Sequence, residues 1–176
     1  ANSNDRLMSI TRNLESTQTQ LLGLFGSASG DDVDDHHKAR YADLDRAVAA
    51  ASHRPFTKQI QIACDAVKFG IARLAGIEAP KFEDNETSLA DLRARIRKTI
   101  DFVESVPASK IDGSETRDVI VPRRDGSMTL KGEVYLKHFA LPNFFFHVTT
   151  VYALLRHNGV ELGKADYLGP MQPLQS

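Results

Sequence analysis

The chain has 176 residues, 41% of them hydrophobic and 26% charged, which suits one domain built around one core rather than two. Its 22 lysines and arginines stand against 23 aspartates and glutamates, a net charge of −1, so no overall positive field is available to bind a phosphate backbone and nucleic acid is excluded as the expected partner. The single cysteine, Cys64, excludes an internal disulfide and a CxxC metal site; no apolar run reaches the ~18 residues of a membrane helix, and the opening Ala1-Asn2-Ser3-Asn4-Asp5-Arg6 lacks the order of a secretion signal, so a cytoplasmic setting with no membrane partner is expected.

Leu7, Ile10, Leu14, Leu21, Leu22 and Phe25 recur at three- and four-residue steps and predict a first helix over 7–25. Residues 26–37, from Gly26-Ser27-Ala28-Ser29-Gly30 to the acidic Asp31–Asp35 and His36-His37, are too small and polar to repay ordering and read as a mobile loop. That loop lacks the glycine and glutamate of a calcium loop, and its glycine-serine run lacks the order of a nucleophile elbow. Alanine-rich 41–51 predicts a short helix that Pro55 ends or redirects.

The second main helix starts at Pro55 and carries Ile60, Cys64, Val67, Ile71 and Leu74 at alternating four- and three-residue steps up to Gly76, the seam of a bundle. Ser88 and Asp91 have capping-box spacing and open a third helix with the seam Leu89, Leu92, Ile96, Ile100 and Val103, closed before Pro107. Arg93, Arg95, Arg97 and Lys98 interleave with this seam and read as its solvent face. Between residues 118 and 130, two β-prone runs flank Arg123-Arg124-Asp125-Gly126, which predicts a small β-hairpin between the third and fourth helices. Residues 133–140 suit a helical turn or more, and Pro142 starts or kinks a fourth helix over 143–156 that stops at Asn158-Gly159. Residues 160–176 read as an extended tail. These elements make a single all-α domain over 1–176, a compact helical bundle, whose inward-facing side chains are where such folds build ligand and metal sites.

The chemistry concentrates in Leu136–Thr150, which holds His138, Asn143, His147 and the phenylalanines 139 and 144–146. On a helix Asn143 and His147 share a face that continues through Thr150 and Leu154. A histidine there is able to bind a divalent metal through a neutral ring nitrogen, but one strong ligand does not make a site, and a core histidine hydrogen-bonded to a polar neighbour is the plainer reading. Phe144 and its neighbours are wall or core, Tyr135 and Tyr152 offer hydroxyls, and Cys64 on its seam reads as a small buried hydrophobe rather than a nucleophile. His157, beside the Asn158-Gly159 stop, favours the helix carboxyl end.

The strings Gln59-Ile60-Gln61-Ile62-Ala63-Cys64-Asp65, Phe82-Glu83-Asp84-Asn85-Glu86-Thr87, His138 to Thr150 and Leu155-Arg156-His157-Asn158-Gly159-Val160 resemble an uncharacterised domain-of-unknown-function family of the DinB/YfiT-like superfamily, over about residues 55–169. The resemblance implies an antiparallel four-helix bundle, commonly a homodimer. Superfamily members commonly hold a divalent metal, such as zinc, nickel or iron, on three histidines, and some transfer low-molecular-weight thiols. Carried onto this chain, His147 matches one ligand position, Asn143 the second and Gln59, or less closely Gln61, the third, so two imidazoles are replaced by amides, which are weak ligands. The expectation that follows is a degenerate metal site at His147, Asn143 and Gln59, within a small-molecule pocket formed by Gln59, Asp65, His138, Asn143, Phe144 and Tyr152. His147 is its catalytic candidate, as a metal ligand or general base. The alternatives are a metal-dependent thiol transferase or isomerase, and a dimeric interaction module.

Overall fold

The computed structural model describes residues 56–160 and 162–168. The predicted first helix, the loop 26–37, the alanine-rich helix 41–51 and the tail beyond 168 lie outside those residues. Helix α1 spans Phe56–Ala75, and its seam Ile60, Ala63, Cys64, Val67, Ile71 and Leu74 is buried. Gly76 takes φ 66° and the Ile77 amide donates back to the Ala72 carbonyl at 3.0 Å, a glycine-terminated helix end.

A connector without regular hydrogen bonding leads to α2, Leu89–Ser105. Ser88 starts it through the expected box: its hydroxyl accepts from the Asp91 amide at 3.2 Å while the Asp91 carboxylate accepts from the Ser88 amide at 2.9 Å. Two 3-10 turns, Ala108–Lys110 and Ser114–Thr116, then lead into the antiparallel pair β1, Asp118–Arg123, and β2, Gly126–Lys131. Val119 and Val121 face the core and Ile120 faces out. The two loop residues are Arg124 and Asp125, one position earlier than the Asp-Gly pair itself, because Gly126 at φ 135° serves as the first residue of β2.

A single turn α3, Gly132–Tyr135, passes through a π turn, Leu136–Ala140, into α4, Leu141–His157, with Pro142 in its first turn. Proline has no N–H to give the carbonyl one turn back, and the wide turn immediately before it takes up that break in the ladder. Gly132 is required where it stands: a Cβ there would overlap the Ser114 carbonyl oxygen. A short helix α5, Lys164–Leu168, lies within the stretch expected to be extended. It rests on α4 through the Tyr167 and Thr149 hydroxyls, 3.0 Å apart, and an edge-on contact of the Tyr152 and Tyr167 rings.

Helix α1 packs on both α2 and α4. Gly70 meets Ala140 and Gln59 meets His147, so the residue numbers rise along α1 as they fall along α4, and the two are antiparallel. Helix α2 behaves differently. Lys58 meets Asp84, Gln61 meets Glu86 and Asp65 meets Arg95, pairs that rise together, while Arg117, after α2, donates to the Leu74 carbonyl at the far end of α1. The connector therefore returns along α1 and α2 runs parallel to it, a departure from an all-antiparallel bundle. A short connector would have forced the antiparallel course; the 13 residues between Ala75 and Leu89 span a 20-residue helix when extended.

Candidate functional site

Along the α1–α4 interface the facing positions on α1 are Gln59, Ala63, Ala66 and Gly70, and those on α4 include Phe144, His147 and Val151. Small residues on α1 let the backbones approach and leave an apolar cavity of about 10 Å³ between Ala66, Val67, Gly70, Leu136, Ala140 and Phe144. That is at most the size of one water, and nothing polar lines it to hold one.

The polar part of the same interface is a pair. His147, 8% exposed, lies 2.7 Å through Nδ1 from Oε1 of Gln59, itself buried. An amide oxygen only accepts, so Nδ1 carries the proton and, in the neutral ring, the lone pair is on Nε2. The Phe146 ring stands edge-on to the imidazole with centroids 5.1 Å apart and is itself 66% exposed. Asn143, half-buried, lies one turn before His147 on α4.

The remaining predicted pocket residues are dispersed. Phe144 is core and borders the apolar cavity. His138 is exposed on the π turn. Tyr152 accepts from Arg156 Nη1 at 3.1 Å and faces α5. Asp65 belongs with α2 and meets Arg95 and Lys68. The Tyr135 hydroxyl accepts from Arg73 at 3.2 Å.

The residues at Gln59, Asn143 and His147 do not fit a tightly held cation. Two donors sharing a tetrahedral zinc lie about 3.3 Å apart when each bond is ~2.0–2.1 Å. At 2.7 Å, with a proton between them, Gln59 and His147 are hydrogen-bonded partners instead. Among the described residues no group of three histidine, cysteine, aspartate or glutamate side chains is placed to hold a metal. Cys64 is unsuited to nucleophilic work, since burial pushes its thiol up to about 11 despite a bond with Thr99.

A second polar assembly escaped the sequence reading. Arg95, expected on the solvent face, is 2% exposed, as is Lys68. Arg95 Nη1 donates to the Glu83 carbonyl (3.1 Å) and Glu86 Oε1 (2.9 Å) and lies 3.0 Å from Asp84 Oδ1, while Nη2 reaches Asp65 Oδ1 at 3.1 Å. The same Asp65 oxygen takes Lys68 at 2.9 Å, and Gln61 donates to Glu86 at 2.7 Å. Phe82 lies under both cations, 4.3 Å from Lys68 Nζ and 5.7 Å from the Arg95 guanidinium. Hydrogen bonds shift the carboxyl groups accordingly: Lys58 holds Asp84 low, and at Glu86 the bonds from Arg95 and Gln61 outweigh the rise that burial alone would cause. The available signal was positional: Arg95 lies three residues after Leu92 and four before Thr99, both buried, with Asp84 and Glu86 just upstream.

A profile of the family described as "Domain of unknown function (DUF1993)" matches residues 27–168. The crystal structure of a DinB family member protein from Shewanella denitrificans is similar at 36% identity and a TM-score of 0.77, over 94% of this chain and 92% of that one. No curated protein matches the chain. No described helix is long and apolar enough to cross a membrane.

Proposed function

Because the chain belongs to DUF1993, a DinB-like family of unknown function, we propose that it is a small-molecule-binding helical bundle whose polar contact point is the Gln59–His147 pair. The protein works as a cytoplasmic homodimer. The observation that carries the reading is the 2.7 Å bond from His147 Nδ1–H to Gln59, which fixes the imidazole tautomer and turns its accepting nitrogen away from the amide. A buried polar pair in an apolar interface costs free energy unless satisfied, so it is kept where orientation matters. The ligand then meets the Gln59–His147 pair with Asn143 as the neighbouring amide, and tight metal binding is not required.

The test combines metal content with ligand screening. Protein purified without chelator should carry substoichiometric zinc, nickel or iron. A binder found by thermal shift should stabilise the wild type by about 2.7 kcal/mol at a hundredfold excess over Kd and lose most of that in His147→Ala. Near-stoichiometric metal that disappears in His147→Ala would overturn the reading in favour of a metal-dependent thiol transferase or isomerase. Binders that act equally on both proteins would leave a dimeric interaction module as the function.

A further inference from the structure

The connector between α1 and α2 is fastened almost entirely by charge. No residue of 76–88 is buried as a whole, although the Glu86 side chain is only 7% exposed, and Ile77, the one aliphatic residue larger than proline, is exposed. What holds it down is Asp84 on Lys58 and Arg95, Glu86 on Arg95 and Gln61, the Glu83 carbonyl on Arg95, the Phe82 ring under Lys68 and Arg95, and, at its hinge on α2, the amides of Thr87 and Ser88 on the Asp91 carboxylate. Beneath it the helices carry Lys58, Lys68 and Arg95 against, among the described residues, the single carboxylate of Asp65. The helices alone therefore present two unbalanced positive charges, and Asp84 and Glu86 of the connector supply the two negative ones.

The match in charge is not a match in geometry. A guanidinium has two N–H bonds on each terminal nitrogen and one on Nε. Here three oxygens, from Glu83, Asp84 and Glu86, crowd Nη1, one oxygen meets Nη2, and the buried Nε has no partner among the described residues. An unfilled buried donor loses its hydrogen bonds to water and gains none in return, so the carboxylates of the connector are an incomplete complement to Arg95. An untethered oxyanion can take Nε and a terminal nitrogen side by side, as the tethered Asp84 and Glu86 carboxylates do not.

We propose that residues 77–88 form a displaceable strap over a binding site for a doubly charged oxyanion, a phosphate or phosphate monoester, built from Lys68 and Arg95 with Lys58 at its rim. The strap's Asp84 and Glu86 act as built-in competitors that occupy the cations until an external dianion displaces them. Asp65 bridges Lys68 to Arg95 and keeps the two cations together when the strap lifts. This site lies on the α1–α2 side of α1 and is separate from the Gln59–His147 pair.

The probe is inorganic phosphate on the full chain, compared with chloride at equal ionic strength. Hydrogen exchange followed by mass spectrometry should show residues 77–88 exchanging several-fold faster in phosphate, with α4 unchanged. The double variant Asp84→Asn/Glu86→Gln removes the internal competitor, and its phosphate affinity by calorimetry should exceed the wild type's by about tenfold, the factor by which a mostly closed strap lowers apparent affinity. Exchange in 77–88 that is the same in phosphate and chloride, or that rises only together with α4, overturns the proposal. So does a folded double variant that binds phosphate no better than the wild type. If the double variant does not fold, the exchange experiment on the wild type decides.

Discussion

Two glycines of opposite character show how far a single residue constrains this fold. Gly70 lies in the middle of α1, where a Cβ would stand 3.6 Å from the Ala140 Cβ, an ordinary contact beside the small apolar cavity. Gly70→Ala should therefore stabilise the protein by about 0.5–1 kcal/mol through helix propensity. Gly132 has no such room, because the Ser114 carbonyl occupies the place of its Cβ, and its amide donates to the Arg117 carbonyl at 2.9 Å. Gly132→Ala must push the 3-10 turn away and should cost more than about 2 kcal/mol, within the range of overpacked sites. Paired calorimetric melts check both signs, and a neutral Gly132→Ala would contradict the packing described. At this scale the sequence is unevenly legible. The Ser88–Asp91 box was legible because both partners sit within one turn. Arg95 was not, because the carboxylates that make its burial tolerable come from 9 to 30 residues away.

Among the elements, the connector and α2 are tied to pH. Asp84 and Glu86 bind protons less readily in the folded protein than in the unfolded chain, so protonation favours release. Their contribution is complete above the ordinary carboxylate range and is lost as pH falls through their depressed values. The melting temperature should be flat from about pH 8 to 5 and drop below about pH 4.5, and Asp84→Asn/Glu86→Gln should flatten that acid limb. An acid limb equally steep in the variant would assign the loss to other groups. The hairpin and the helix ends were legible locally, from Asp125-Gly126 and from Gly76 and Gly159. The π turn was not, since Pro142 announces a break in the helix without saying whether the chain widens, kinks or restarts.

At the scale of the whole molecule, a chain whose described residues are mostly helical, with one two-stranded antiparallel sheet among them, matches a DinB family member along nearly its full length. Periodicity identified α1 and α2 because their seams are core. It did not reveal that α1 and α2 run parallel, because direction is decided by a connector whose composition is equally compatible with a loose loop. For the same reason the candidate site was half legible: Gln59 and His147 meet because both lie on the α1–α4 seam, whereas Asp65 turns to the other side of α1.

The parallel course has one more consequence. Lys81 projects almost wholly into solvent, at 87% side-chain exposure, ahead of every charged anchor that binds the connector to Arg95. A tryptic cut after it would separate α1 from α2 and α4 in sequence while leaving the α1–α4 seam and the Arg95 contacts in place. The two pieces should then travel as one particle through size exclusion and part only in denaturant, so the protein is a natural template for a split reporter reassembled from halves.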